Sequence, residues 1–119
     1  MDFGDWEGCT FAEVEQRYPA DLAAWKQSSE VAPTGSSESF ADLLDRVAGA
    51  ARRITTRSGS STVLAVTHVT PVKALVAHAL GAPPASLFAM ELSPAALTRI
   101  TYAGSEAVLR CFNDTSHLG

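Results

Sequence analysis

One junction constrains this chain more than any other. The apolar run Val63-Leu64-Ala65-Val66 leads into Thr67-His68-Val69-Thr70-Pro71, and Val72-Lys73-Ala74-Leu75-Val76-Ala77-His78-Ala79-Leu80-Gly81 follows. A short apolar run before a Thr-Pro start signal predicts a buried strand, a sharp turn and a helix. Thr70 suits the N-cap, Pro71 the first helical position and Gly81 the C-terminal cap. Val72, Leu75, Val76, Ala79 and Leu80 are expected to form the buried face, with Lys73 and His78 off it. The junction puts His68 where a central strand ends and a helix begins. Ligands of open α/β sheets gather at that end of the strands, and helix N-termini attract anions. Two roles fit His68 there. Its imidazole meets a phosphate, or it hydrogen-bonds a loop carbonyl and does no chemistry.

The rest of the chain supplies elements for one domain. Its 119 residues are 46% hydrophobic and 18% charged. A chain of that size buries about 65% of its unfolded surface, enough for one core. Met1 to Gly8 combine Gly and Asp with two aromatic anchors, Phe3 and Trp6. Thr10-Phe11-Ala12-Glu13 is a capping box, so a helix starts there and stops near Tyr18-Pro19. Asp21 to Lys26 add further helical turns, and Gln27 to Ser37 read as a loop. Phe40, Leu43, Leu44, Val47, Ala51 and Ile54 then follow the helical period. Ser37 or Ser39 caps that helix, and Glu38 with Asp42 places negative charge at its start. Residues 97–102 alternate, Ala103-Gly104-Ser105-Glu106 turn, and residues 107–112 return as the hairpin partner. The hairpin is expected on the same sheet as residues 63–67.

Charge and cysteine usage exclude some classes. The net charge is −4. No basic stripe marks a nucleic-acid surface. Arg52, Arg53 and Arg57 form the densest basic cluster, read as complementing the dipole at a helix end. No apolar run reaches membrane-span length, and the N-terminus does not read as a signal peptide. Cys9 and Cys111 have no partner spacing, which suggests reduced thiols and a cytoplasmic protein. His68, His78 and His117 have no metal-ligand spacing.

Several segments, in order, resemble the histidine phosphatase superfamily, the phosphoglycerate-mutase-like enzymes. They are Phe3-Gly4-Asp5-Trp6-Glu7-Gly8, Gly35 through Glu38-Ser39-Phe40, Val66-Thr67-His68, and Asn113-Asp114 with His117-Leu118. The His-Val-Thr-Pro form with the Asn-Asp tail is similar to actinobacterial acid phosphatase domains related to α-ribazole phosphatase. The resemblance implies a phosphomonoesterase, a hydrolase of small phosphorylated metabolites that works through a phosphohistidine. It implies no metal and no cofactor, because imidazole and guanidinium groups supply the positive charge. By position, His68 is the second His of the phosphate pocket and its one expected catalytic residue here. Thr70 either lines that pocket through its N–H or is a plain N-cap, the reading preferred from the residues. Glu38 either matches the Glu of the family's Gly-Glu-Ser segment or only charges a helix start.

The family's opening Arg-His-Gly, whose His is the nucleophile, has no match. None of the seven Arg residues precedes a His. The proton-donating Glu and the second phosphate-binding Arg also have none. The resemblance therefore implies an α/β fold for residues 1–119: a partial three-layer α/β/α, phosphoglycerate-mutase-like sheet lacking its first strand and helix. The chain is expected to be the C-terminal portion of a single domain, truncated and inactive alone. The expected partner is a phosphorylated small molecule, with no nucleic acid and no membrane. Self-association through an exposed sheet edge is also expected. The alternative is a non-catalytic phosphate-binding or protein-interaction remnant of that fold.

Overall fold

A computed structural model describes residues 1–119. The elements, in order, are α1 (Phe11–Arg17), α2 (Pro19–Gln27), α3 (Phe40–Ser58), α4 (Val69–Leu80), β1 (Leu97–Ala103) and β2 (Glu106–Asp114). Short 3-10 turns cover Gly4–Trp6, Pro84–Ala89 and Ser116–Leu118. The residues fall into two compact units, Met1–Asp45 and Arg46–Gly119.

In the first unit, local signals set the helices. Thr10 and Glu13 complete the expected capping box: the Glu13 N–H donates to Thr10 Oγ1, and the Thr10 N–H donates to Glu13 Oε2 at 2.7 Å. Pro19 ends α1 and opens α2. Ser39 caps α3, not Ser37. Its hydroxyl and N–H both donate to Asp42 Oδ2, at 2.7 and 2.9 Å. These bonds hold the Asp42 carboxyl below its ordinary pKa. The contribution of that charge is present at neutral pH and fades as acid titrates the folded-state carboxylate.

The core of this unit is aromatic. Trp6, Val14, Leu22 and Trp25 are buried together, with Met1, Phe3, Cys9, Tyr18 and Val31 packed against them. Trp6 meets Trp25 edge-on at 5.5 Å between ring centroids, and its indole N–H donates to Asp21 Oδ2 at 2.9 Å. The Asp21 carboxylate also accepts from the Thr34 N–H at 3.0 Å. One indole thus ties the first loop to α2 and, through Asp21, to the loop before α3.

The first loop and the Ser-rich loop approach backbone to backbone. The Asp5 N–H donates to the Thr34 carbonyl at 2.8 Å. Gly4 has φ +53°, and a Cβ there would land on the Thr34 carbonyl and the Ser36 amide. Gly4→Ala is therefore expected to cost roughly 2 to 3 kcal/mol, combining left-handed strain with overpacking. Gly8 has φ +79° with open space around it. Gly8→Ala is expected to carry the strain alone, about 1 kcal/mol. Urea midpoints of the two variants make the comparison, and equal losses would discount the close approach.

In the second unit, α4 packs against β1, β2 and the Pro84–Ala89 turn. The hairpin forms as expected, antiparallel, with Ile100 opposite Leu109 and Tyr102 opposite Ala107. Gly104 turns it at φ +60°. Thr98, Ile100 and Tyr102 lie on the more buried side of β1, and Leu97, Arg99 and Thr101 face out. Gly81, with φ +61°, ends α4 as expected.

Three expectations need correction here. Residues 61–68 form no strand, and the one sheet consists of β1 and β2 alone. An apolar run becomes a strand only when other backbone satisfies its edge, and the two remaining strand-forming segments satisfy each other. Val63, Leu64 and Val66 are consequently exposed, Val66 at 94%. Second, Thr70 is not the N-cap of α4. The helix starts at Val69, and His68 is the cap residue. Third, the buried face of α4 is Pro71, Ala74, Val76 and Ala77, while Leu80 is 58% exposed. A helix with apolar residues on most sides buries whichever side its neighbours cover, and here that is the side against the hairpin and the 84–89 turn.

Candidate functional site

His68 stands at the entrance of α4. Its backbone is extended, with φ −117° and ψ 168°, and its carbonyl accepts the first helical hydrogen bond from the Val72 N–H at 3.2 Å. Its side chain makes no capping bond to the helix. The imidazole is exposed. A Ser or Asp at this position would turn inward and cap the first-turn amides. His68 leaves them uncapped, so the positive end of the helix dipole and a ring N–H are open to solvent together. The pair can receive an anion.

Thr70 lies in the first turn of α4, two residues on, and is half-buried. Pro71 follows it and contributes no N–H. The first-turn donors near His68 are therefore the amides of Val69 and Thr70. His68 is the cap residue and Thr70 lies within the first turn, so their cap and first-turn roles are exchanged relative to the expectation.

Glu38 belongs to the first unit and is engaged by its own loop. Its Oε2 accepts from the Asp2 N–H at 3.0 Å and lies 3.9 Å from the Met1 ammonium. Its N–H donates to Ser36 Oγ at 3.0 Å, and that hydroxyl donates to the Asp2 carbonyl at 2.9 Å. The Asp2 carboxyl accepts from the Gly4 N–H at 2.9 Å, which, with help from Ser36, holds its pKa below the ordinary carboxylate value. Glu38 thus clasps the start of the chain to the Ser-rich loop. It precedes the cap Ser39, so the acid in the first turn of α3 is Asp42 rather than Glu38. Asp2 and Ser36 were not singled out from sequence. No spacing rule reaches across the intervening residues, and only the resemblance at Gly35 to Ser39 hinted at a built loop.

The tail histidine has a packing role. His117 Nε2 lies 3.0 Å from the Ala95 carbonyl. Ala95 has φ +59°, an unusual conformation for alanine. The Asn113 side-chain carbonyl accepts from the Ser93 N–H at 2.8 Å. Tail and hairpin residues thereby hold the turn that enters β1. Both cysteines are free thiols. No helix is long and apolar enough to cross a membrane.

Known proteins place these features in a lineage. The family described as the histidine phosphatase superfamily (branch 1) matches residues 1–115. The bifunctional protein Rv2228c of Mycobacterium tuberculosis is 41% identical over 118 residues, which cover 98% of this chain and 32% of that protein. Among solved structures, YhfR of Bacillus stearothermophilus superposes with a TM-score of 0.83 at 29% identity, over 98% of this chain and 58% of that one. The α-ribazole phosphatase of Shigella flexneri superposes with a TM-score of 0.73 at 25% identity, over 94% of this chain and 55% of that one. The chain thus spans about a third of the mycobacterial relative and somewhat over half of the two solved chains. The fold is α/β and phosphoglycerate-mutase-like, in part rather than whole. With nearly every residue inside the matched region, the chain belongs to the histidine phosphatase superfamily, branch 1.

Proposed function

We propose that these 119 residues are the C-terminal portion of a single phosphomonoesterase domain that hydrolyses a small phosphorylated metabolite through a phosphohistidine. The observation that carries this reading is the exposed His68 imidazole beside the uncapped start of α4, in a chain of this family. In the reaction, His68 donates a hydrogen bond to a phosphate oxygen and meets the charge that develops in the transition state. The Thr70 N–H adds a second donor from the same turn. Glu38 acts within its own unit, where it keeps the Ser-rich loop in place. The nucleophilic His and the acid that protonates the leaving alcohol come from residues outside this sequence, since no Arg-His-Gly lies within it. An acid-phosphatase-like, cytoplasmic enzyme is the form that fits best.

The missing nucleophile also favours a second reading, a non-catalytic phosphate-binding or interaction module. Phosphate release from an aryl phosphate, at acidic and neutral pH, separates the two. The 119-residue chain is expected to show no more than trace turnover, because loss of a nucleophile alone costs orders of magnitude. A longer protein carrying an upstream Arg-His-Gly segment is expected to turn over without added metal and in the presence of chelators. Inactivity of that longer protein would leave the binding module. Activity that needs magnesium would remove the phosphohistidine mechanism.

A further inference from the structure

α3 carries a charged face that the proposed reaction does not use. Gly49, Arg52, Arg53, Thr56 and Arg57 follow the i, i+3, i+4, i+7, i+8 spacing that puts residues on one side of a helix. They line an open cavity of about 430 Å³. Two guanidinium groups converge over Gly49. Arg53 Nη1 and Arg52 Nη2 lie 3.5 and 3.8 Å from the point where a Gly49 Cβ would sit. A Cβ at Gly49 would sit in ordinary van der Waals contact with both.

The convergence has no internal counter-charge. The residues three and four positions away from each Arg include no Asp or Glu: Gly49, Thr55, Ala48 and Thr56 around Arg52; Ala50, Thr56, Gly49 and Arg57 around Arg53; Ile54, Ser60, Arg53 and Ser61 around Arg57. Arg53 and Arg57 are themselves an i, i+4 pair of like charges, which is unfavourable in a helix. The helix dipole accounts for Arg57, in the last turn before Ser58, but its effect fades within one turn. Arg52 and Arg53 lie further back. Their cost is offset when an anion occupies the hollow, and planar guanidinium forks match oxyanions with paired hydrogen bonds.

We propose that Gly49, Arg52, Arg53, Thr56 and Arg57 form a binding site for a compact multivalent oxyanion of the diphosphate class. Three guanidinium charges balance a diphosphate better than a single phosphate. Adjacent turns of the helix set Arg53 and Arg57 about 6 Å apart along the axis, enough for two linked phosphoryl groups. The Thr56 hydroxyl supplies a neutral donor between them.

Calorimetric titration of the full chain with inorganic pyrophosphate tests this, with inorganic phosphate as the second probe. Saturable binding is expected, at least ten-fold tighter for pyrophosphate. The double substitution Arg52→Gln with Arg53→Gln is expected to weaken it at least ten-fold. Gln keeps the helix propensity of Arg, and far-UV circular dichroism verifies the fold. Arg53→Lys, which keeps charge but loses the fork, is expected to fall between. Arg99→Gln, on the outer side of β1, is expected to bind as the parent does. Equal binding by parent and double variant would overturn the site. So would an equal loss in Arg99→Gln, which would mark general charge attraction, or loss in His68→Ala alone, which would put the anion at α4.

Discussion

Trp6→Ala is expected to destabilise the Met1–Asp45 unit by about 3 to 5 kcal/mol, the range for deleting a large buried aromatic. Trp6 is 3% exposed, which makes most of that range reachable. Three losses combine. The cavity opens beside Val14, Leu22 and Trp25, and the edge-on contact with Trp25 disappears. Asp21 also loses the indole N–H, and keeps only the Thr34 amide. Trp6→Phe separates these terms, because it refills much of the volume without restoring the donor. It is expected to recover more than half of the loss. Urea unfolding followed by Trp25 fluorescence and circular dichroism measures both variants. A loss under about 1 kcal/mol for Trp6→Ala would mean that the aromatic cluster is not the core of its unit.

His68→Ala is expected to lower kcat by about 10²- to 10³-fold in an active longer protein, the effect of removing one preorganised donor from a developing oxyanion. The fold is expected to survive, for a structural reason. The side chain is exposed and makes no capping bond, so its removal opens no cavity and orphans no amide. Stability and rate should therefore separate. Steady-state kinetics alongside thermal unfolding reads both, and His68→Asn, which retains a shorter donor, should lose less rate than His68→Ala. Normal kinetics in His68→Ala would reduce the shared ancestry to one of fold.

How far the sequence reached depends on how far each interaction reaches along the chain. Thr10 with Glu13, Ser39 with Asp42, Gly81 and Gly104 all act within a few residues, and helices and hairpin appear where those signals put them. The strand at 63–67 fails because pairing is non-local. Nothing in Val63-Leu64-Ala65-Val66 states whether another strand lies alongside. The buried side of α4 fails for the same reason, since α4 is covered by a hairpin some twenty to forty residues later. The site divides in the same way. His68 at a helix entrance was legible from Thr70-Pro71 within three residues. The Glu38 clasp on Asp2 spans 36 positions and was not.

Those unpaired residues also bear on how fast, and how cleanly, the chain acquires structure. α1 packs on α2, β1 pairs with β2, and α4 meets the turn that follows it. Contacts of this kind close short loops, and hairpins form in about 1 to 10 μs. Residues 61–68 are the exception, joined to no strand of the sheet. Any strand that joins them must arrive from far along the sequence or from another molecule, and both routes are slow compared with a hairpin. Between the fast steps and that slow one, the chain displays Val63, Leu64 and Val66. Collisions between copies at this segment become more frequent as concentration rises. Dilute refolding is therefore expected to limit association through this segment.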